Sequence, residues 1–278
     1  MASNVVLPGG ETVPALGIGT WMMGERANAR REEIESIRLG VELGLTLVDT
    51  AEMYGDGACE SFLGEALAGL RDEVFLVSKV YPHNASHMGV MAACERSLKR
   101  LKTDRLDLYL LHWRGGVPLE DTIAGFEELK AMGKIRHWGV SNFDTDDMEE
   151  LWDCEGGDAC AVNQVLYNLT RRGPEWDLLP WMERHKVPLM AYSPIEQGRI
   201  PASGVLAKIA EKHGVRPFQI ALAWALRNPN NIVIPKASRP AHMRENAGAR
   251  DIALDGEDLA ALDKAFAPPS RKRSLEML

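Results

Sequence analysis

No apolar run in this 278-residue chain approaches the about 18 residues needed to cross a bilayer. Its opening, MASNVVLPGGETVPALG, lacks the basic stretch and apolar core of a secretory signal, so a cytoplasmic location is expected. Cys59, Cys94, Cys154 and Cys160 form no CxxC pair and no zinc-type spacing, and free thiols are expected in place of a disulfide or metal site. Before a tail at Pro268, Pro269 and Arg271 to Arg273 there is no long Gly/Ser/Pro linker, low-complexity tract or block of like charge, which leaves one domain over residues 1–278 as the default. The chain is short of positive charge: a formal net charge of −8 argues against general nucleic-acid binding and against attraction to an anionic membrane. A phosphate-bearing ligand remains open, because basic residues gather late, at Lys236, Arg239, Arg244 and Arg250.

What the sequence does have is alternation. A hairpin at residues 4–16 is expected to turn at Pro8-Gly9-Gly10, and strand-length apolar runs then follow at 16–21, 45–50, 74–80, 106–112, 135–141, 161–167, 188–194 and 231–237. Helix-period segments separate them, at 31–44, 58–70, 86–101, 119–132, 145–153 and 175–185, with a helix pair across 203–227 and a helix near 240–249. Eight strands each followed by a helix predict an α/β fold, a (β/α)8 TIM barrel. An open doubly wound sheet would carry a GxGxxG turn after its first strand, and Gly17-Ile18-Gly19-Thr20-Trp21 lacks the third glycine. GEDLAALDKAFAP (256–268) reads as an extra amphipathic helix outside the barrel.

Three runs end on a polar side chain: LTLVDT reaches Asp49, VFLVSK reaches Lys79 and LDLYLLH reaches His112, with Tyr54 in the loop after the first. In a barrel these C-terminal strand ends face the mouth where chemistry is done. A phenol, with pKa about 10, protonates a carbonyl oxygen well only if its pKa is drawn toward working pH. A shift of two to three units needs roughly 3 to 4 kcal/mol, at about 1.36 kcal/mol per unit. A partly buried Lys79 ammonium, held by Asp49, is expected to lower Tyr54 by that amount, with His112 orienting the carbonyl or relaying the proton. The plainer alternative is a structural Asp49–Lys79 pair with Tyr54 and His112 as packing.

The constellation resembles the aldo-keto reductase family, and the likeness runs over nearly the whole chain. LVDTAEMYGDG (47–57), LDLYLLHW (106–113), GVSNF (139–143), AVNQVLYN (161–168), AYSPI (191–195) and IPKAS (234–238) are similar to that family's segments, in order. The resemblance implies Asp49, Tyr54, Lys79 and His112 as the catalytic residues and NADPH as cofactor, with NADH open. It implies Ser141, Asn142 and Gln164 on the nicotinamide carboxamide and Tyr192 stacked on its ring. Ser193, Pro194, Ile195, Gln197 and Gly198 would follow the pyrophosphate. Ile234, Lys236, Ala237, Ser238 and Arg239 would lie along the adenosine 2′-phosphate stretch, with Glu245 and Asn246 near the adenine. Trp21 and Trp113 resemble substrate-pocket aromatics, beside Tyr54 and His112.

The sequence departs from the family where many members carry a phosphate-binding arginine six residues after the lysine: here stands His242. Arg239 and Arg244 are the expected compensation. The short WRGGVPLE loop and the short tail suggest an open pocket. The segments RRGPEWDLLPW, AYSPIEQGR and IPKASRPAHMREN look most like the bacterial branch that includes methylglyoxal reductases. The implied activity is NADPH-dependent reduction of aldehydes, 2-oxoaldehydes or small ketones, methylglyoxal-like substrates first, by a monomer whose partner is a small carbonyl compound. Reduction of diketo-sugar acids, an NADPH-binding regulatory subunit with little turnover, and an isomerase or aldolase using Lys79 as a Schiff-base nucleophile are the alternatives. His83 and His87, four apart with no third ligand in sight, read as residues at a helix entry, with no metal site expected. Asn84-Ala85-Ser86 fits a glycosylation pattern that has no meaning without secretion.

Overall fold

In the computed structural model, which describes residues 4–278, the eight apolar runs pair in chain order as one parallel sheet. After the antiparallel hairpin β1 (Asn4–Val6) and β2 (Thr12–Pro14) come β3 (Ile18–Gly19), β4 (Leu47–Asp49), β5 (Phe75–Val80) and β6 (Leu106–Leu111). β7 (Ile135–Ser141), β8 (Asn163–Leu166), β9 (Leu189–Tyr192) and β10 (Asn231–Val233) complete the sheet. The first and last strands meet: Val233 N donates to Ala15 O at 2.7 Å, Gly17 N to Val233 O at 2.9 Å and Gly19 N to Pro235 O at 3.1 Å. The sheet is therefore a closed barrel. Those two strands are shorter than the sequence implies, and Pro235, which has no N–H to give, ends regular pairing on that side.

The helices are α1 (Arg30–Glu42), α2 (Ala58–Ala66), α3 (His87–Leu101), α4 (Leu119–Ala131), α5 (Thr145–Asp153), α6 (Leu178–His185), α7 (Val205–His213), α8 (Pro217–Ala225), α9 (Pro240–Gly248) and α10 (Gly256–Ala265). Local chemistry sets their limits. Ser86 caps α3 by accepting from Gly89 N, and Asp144 and Asp147 form a reciprocal capping box on α5. The pair across 203–227 splits where Gly214 adopts φ 66° and Pro217 opens α8. α6 starts three residues later than the 175 expected, because a 3-10 turn at Gly173–Glu175 containing Pro174 precedes it. His87 pairs with Glu128 of α4 at 2.6 Å across the helix surface.

Two apolar layers follow from the period-2 geometry of a strand. Val48, Leu76, Tyr109, Leu111 and Val140 point outward and pack beneath the helices. Leu47, Phe75, Val77, Leu108, Leu110, Met190, Ile232 and Ile234 point inward and fill the barrel. The hairpin plugs the N-terminal end: Val5, Leu7, Val13 and Ala15 share the inner cluster, and Glu11 holds Arg136 and His137 at 2.6 and 2.7 Å. Counting on in twos from the inward residues gives Asp49, Lys79 and His112, then Gln164, Tyr192 and Lys236. One parity thus assigns both the inner core and the polar groups at the mouth.

Gly139 marks how tightly neighbouring strands run, since a Cβ there would sit 2.6 Å from Val162 O and 3.1 Å from a Leu110 methyl. Gly139→Ala should destabilise the fold by about 1–3 kcal/mol, read by urea denaturation. An unchanged midpoint would contradict this strand spacing.

Candidate active site

Lys79 is the deepest of the site's charged groups, with a side chain 0% exposed. Its Nζ donates to Asp49 Oδ2 at 2.8 Å, Thr50 O at 2.8 Å and the Tyr54 hydroxyl oxygen at 3.1 Å, so all three ammonium N–H groups have acceptors. Asp49 is buried too and accepts from Gln164 Nε2 at 2.8 Å. Tyr54 follows β4 at the start of a 3-10 turn, Tyr54–Gly57, where Gly57 takes φ 89°. A Cβ on Gly57 would lie 2.6 Å from the Arg100 side chain, so the turn needs glycine both for its dihedral and for room. His112, the residue after β6, meets the Tyr54 ring edge-on with centroids 6.0 Å apart.

The electrostatics differ from expectation on one point. Burial pushes the Tyr54 phenol well above its ordinary value, and the Asp49 carboxylate pushes the same way. The expected lowering by Lys79 fails because the ammonium shares its charge with Asp49 in a site where a phenolate would lose all hydration. Tyr54 is therefore a neutral phenol. Burial drives Asp49 up and Lys79 down, while their mutual attraction opposes both shifts. His112 is lowered to about 2 from 6.5 by burial and then by Lys79. The imidazole is therefore neutral near neutral pH and brings no charge to the site.

Above these groups opens a cavity of about 1050 Å³. It is lined by Trp21, Asp49, Tyr54, His112, Trp113, Ser141, Asn142, Gln164 and Tyr192, then by Ser193, Pro194, Ile195, Gln197, Gly198, Ile234, Lys236, Glu245 and Asn246. The lining of this one cavity thus brings together most of the residues singled out in the sequence. Lys79 lies beneath it. Asn142 is held at φ 58°; its Nδ2 donates to His112 O and Ser141 Oγ, both at 3.1 Å, and its Oδ1 accepts from the Tyr192 hydroxyl at 3.0 Å. Ser193 and Gln197 also carry positive φ, at 47° and 56°. Such backbone is costly for residues other than glycine and collects at functional loops.

Three expected residues stand apart. Ala237 is buried with its carbonyl accepting from Ser36 Oγ of α1 at 2.7 Å, Ser238 is half-buried, and Arg239 is exposed at the start of α9; none lines the cavity. Arg244 does not line it either, although His242 does. Residues missed in the sequence are Arg216, Phe218 and Gln219, at the turn into α8, and Met277 and Leu278 at the chain's end. The tail is tied down by Lys272 to Asp146 and Asp177, at 3.0 and 3.1 Å, and by Glu276 to Arg171 at 2.5 Å. The cavity is thus walled on one side by the tail, where a more open pocket was expected.

The profile of the Aldo/keto reductase family matches residues 15–267. The chain belongs to this family. It is 51% identical over 275 residues to the methylglyoxal reductase YeaE of Escherichia coli strain K12, covering 97% of each chain. It is 34% identical over 271 residues to the glyoxal reductase of Bacillus subtilis strain 168, covering 95% of this chain and 92% of that one. The crystal structure of an aldo/keto reductase from Klebsiella pneumoniae in complex with NADP and acetate superposes with a TM-score of 0.97 at 49% identity, over 100% of both chains.

The residues present fit a nicotinamide dinucleotide. The cavity is large for a small substrate alone. Asn246 Nδ2 and His112 Nδ1 are buried without partners, donors or acceptors left for a guest. Lys236 supplies a cation on the α8–α9 side, where an anionic phosphate is best placed.

The neutral state of His112 is directly measurable. Its ring resonances should not titrate between about pH 4 and pH 9. The unfolded chain takes up that proton near 6.5 and the folded chain only near 2, so the contribution to stability is full above 6.5 and is lost as pH falls below it. His112→Gln should flatten this acid-side slope; a ring titrating near 6.5 would contradict the burial argument.

Proposed function

We propose that this chain reduces the carbonyl group of aldehydes, 2-oxoaldehydes and small ketones to alcohols with NADPH. The observation that carries the reading is a neutral phenol, Tyr54, opening on the cavity with its oxygen 3.1 Å from a fully buried ammonium. When bound, NADPH supplies the hydride that adds to the carbonyl carbon. Tyr54 gives its hydroxyl proton to the carbonyl oxygen as that oxygen becomes negative. Lys79 steadies the phenolate left behind, in a dry setting where one charge-assisted hydrogen bond has most effect. Asp49 positions the lysine, and Gln164 positions Asp49. Neutral His112 orients the oxygen between imidazole and phenol.

For the cofactor, Ser141, Asn142 and Gln164 are assigned to the carboxamide and the Tyr192 ring to the nicotinamide face, with Ser193, Pro194, Ile195, Gln197 and Gly198 along the pyrophosphate. Lys236 is assigned to the 2′-phosphate and Glu245 with Asn246 to the adenine. Trp21, Met22, Met53, Trp113, Met277 and Leu278 give the cavity on which Tyr54 opens a largely apolar set of side chains. That lining favours uncharged carbonyls over sugar acids, and the names of the two reductases compared above put methylglyoxal and glyoxal first to try. A Schiff-base role for Lys79 has little support, since all three of its N–H groups are engaged. All these residues lie in one chain, so the site is complete without a residue from a second copy.

Tyr54→Phe, assayed by NADPH oxidation with methylglyoxal and a small aldehyde panel, should lose about 10²–10⁴-fold in turnover and keep its NADPH affinity. Unchanged turnover would remove Tyr54 as proton donor, and tight NADPH binding with no turnover in the unaltered protein would favour a regulatory subunit. Lys236→Ala should weaken NADPH far more than NADH in equilibrium titrations; equal losses would place the 2′-phosphate elsewhere.

A further inference from the structure

The stretch from Lys236 to Asn246 carries two arginines, Arg239 and Arg244, and both are exposed outside the cavity. The arginine that does line it comes from elsewhere in the chain: Arg216, on the turn between α7 and α8. Its Nε donates to Glu245 Oε1 of α9 at 3.1 Å, so the pair bridges the start of α8 to α9 along the cavity wall. That bond uses one of the five guanidinium N–H donors. Among the described residues neither Nη group of Arg216 has a hydrogen-bond partner, and Lys236 Nζ has none either. The pair is open to water, with side chains 70% and 35% exposed, so it is a weak tie that a better anion readily reshapes.

We propose that Arg216 is a specificity-determining residue for the phosphorylated cofactor, supplying from the α7–α8 turn the bidentate fork that is missing where His242 stands. The inference rests on the NADPH reading above. Glu245 holds the Nε edge of the guanidinium and leaves the Nη edge for a phosphate oxygen, while Lys236 meets the same anion as a point charge. Glu245 is then a positioning residue for Arg216 as well as a wall of the adenine end. A cofactor without the 2′-phosphate meets the same cavity but gains nothing from the free edge.

The test is equilibrium titration of the full chain with NADPH, NADH and 2′,5′-ADP, followed by protein fluorescence, at low and moderate salt. Arg216→Leu should weaken NADPH and 2′,5′-ADP by about tenfold or more and NADH by less than about twofold, with a shallower salt dependence. Arg216→Lys, which keeps the charge and loses the fork, should fall between, and serves if the leucine variant does not fold. Glu245→Gln should keep the preference for NADPH over NADH. Equal weakening of NADPH and NADH in both Arg216 variants would reduce the residue to a structural tie and overturn this proposal alone. Unaltered protein that binds neither NADPH nor 2′,5′-ADP would instead overturn the cofactor reading, and this inference with it.

Discussion

The protonated Lys79 side chain, enclosed at the barrel mouth beneath the cavity with no exposure to water, is the constraint around which the site is arranged. Removing an ammonium from water costs several kcal/mol even after relaxation, and the cost is offset only where every N–H meets an acceptor and one acceptor is charged. Asp49 supplies the charge, the Thr50 carbonyl the second acceptor and Tyr54 the third. The aspartate, the backbone after β4 and the tyrosine are thereby locked to one another. The hydroxyl that ends up beside the cation is also the one that opens on the cavity. A stability requirement and a chemical one are met by the same three hydrogen bonds.

From that anchor a polar network spreads across the barrel mouth. Gln164 braces Asp49, while Asn142 ties the His112 carbonyl to Tyr192 through a strained backbone at φ 58°. Each bond crosses between strands, so the mouth is held as a rigid rim of side chains whose geometry does not wait for a guest. Rigidity of this kind suits proton transfer, where a short misplacement is expensive. The α8–α9 side is built differently: Lys236 and the Arg216–Glu245 pair are exposed and loosely tied. The two sides of one cavity thus differ in kind, one dry and fixed, the other wet and charged.

Much of this was legible in the chain. Strand number, strand order and the helices between them follow from apolar runs alternating with helical period, and the expected helix at 145–153 coincides with α5 because Asp144 caps it locally. Asp49, Lys79 and His112 were visible as polar endings of apolar runs. Other features were not legible. Burial raises the Tyr54 phenol, because the Asp49 that holds Lys79 also repels a phenolate, and that balance depends on distances no sequence displays.

The sequence by itself determined the parity of the barrel. Side chains alternate every residue along a strand, so the pattern that sends Leu47, Val77 and Leu110 inward also sends Asp49, Lys79 and His112 to the mouth. Tertiary structure alone decided which cations reach the cavity. Arg239 and Arg244 are near Lys236 in sequence and are exposed outside the cavity, while Arg216, some twenty residues upstream, lines the same cavity as Lys236. It also brought Met277 and Leu278 back over the mouth through the Lys272 and Glu276 ion pairs. The difference is physical: strand parity is a local property of backbone geometry, whereas the reach of a turn or a tail depends on how helices pack around the closed sheet.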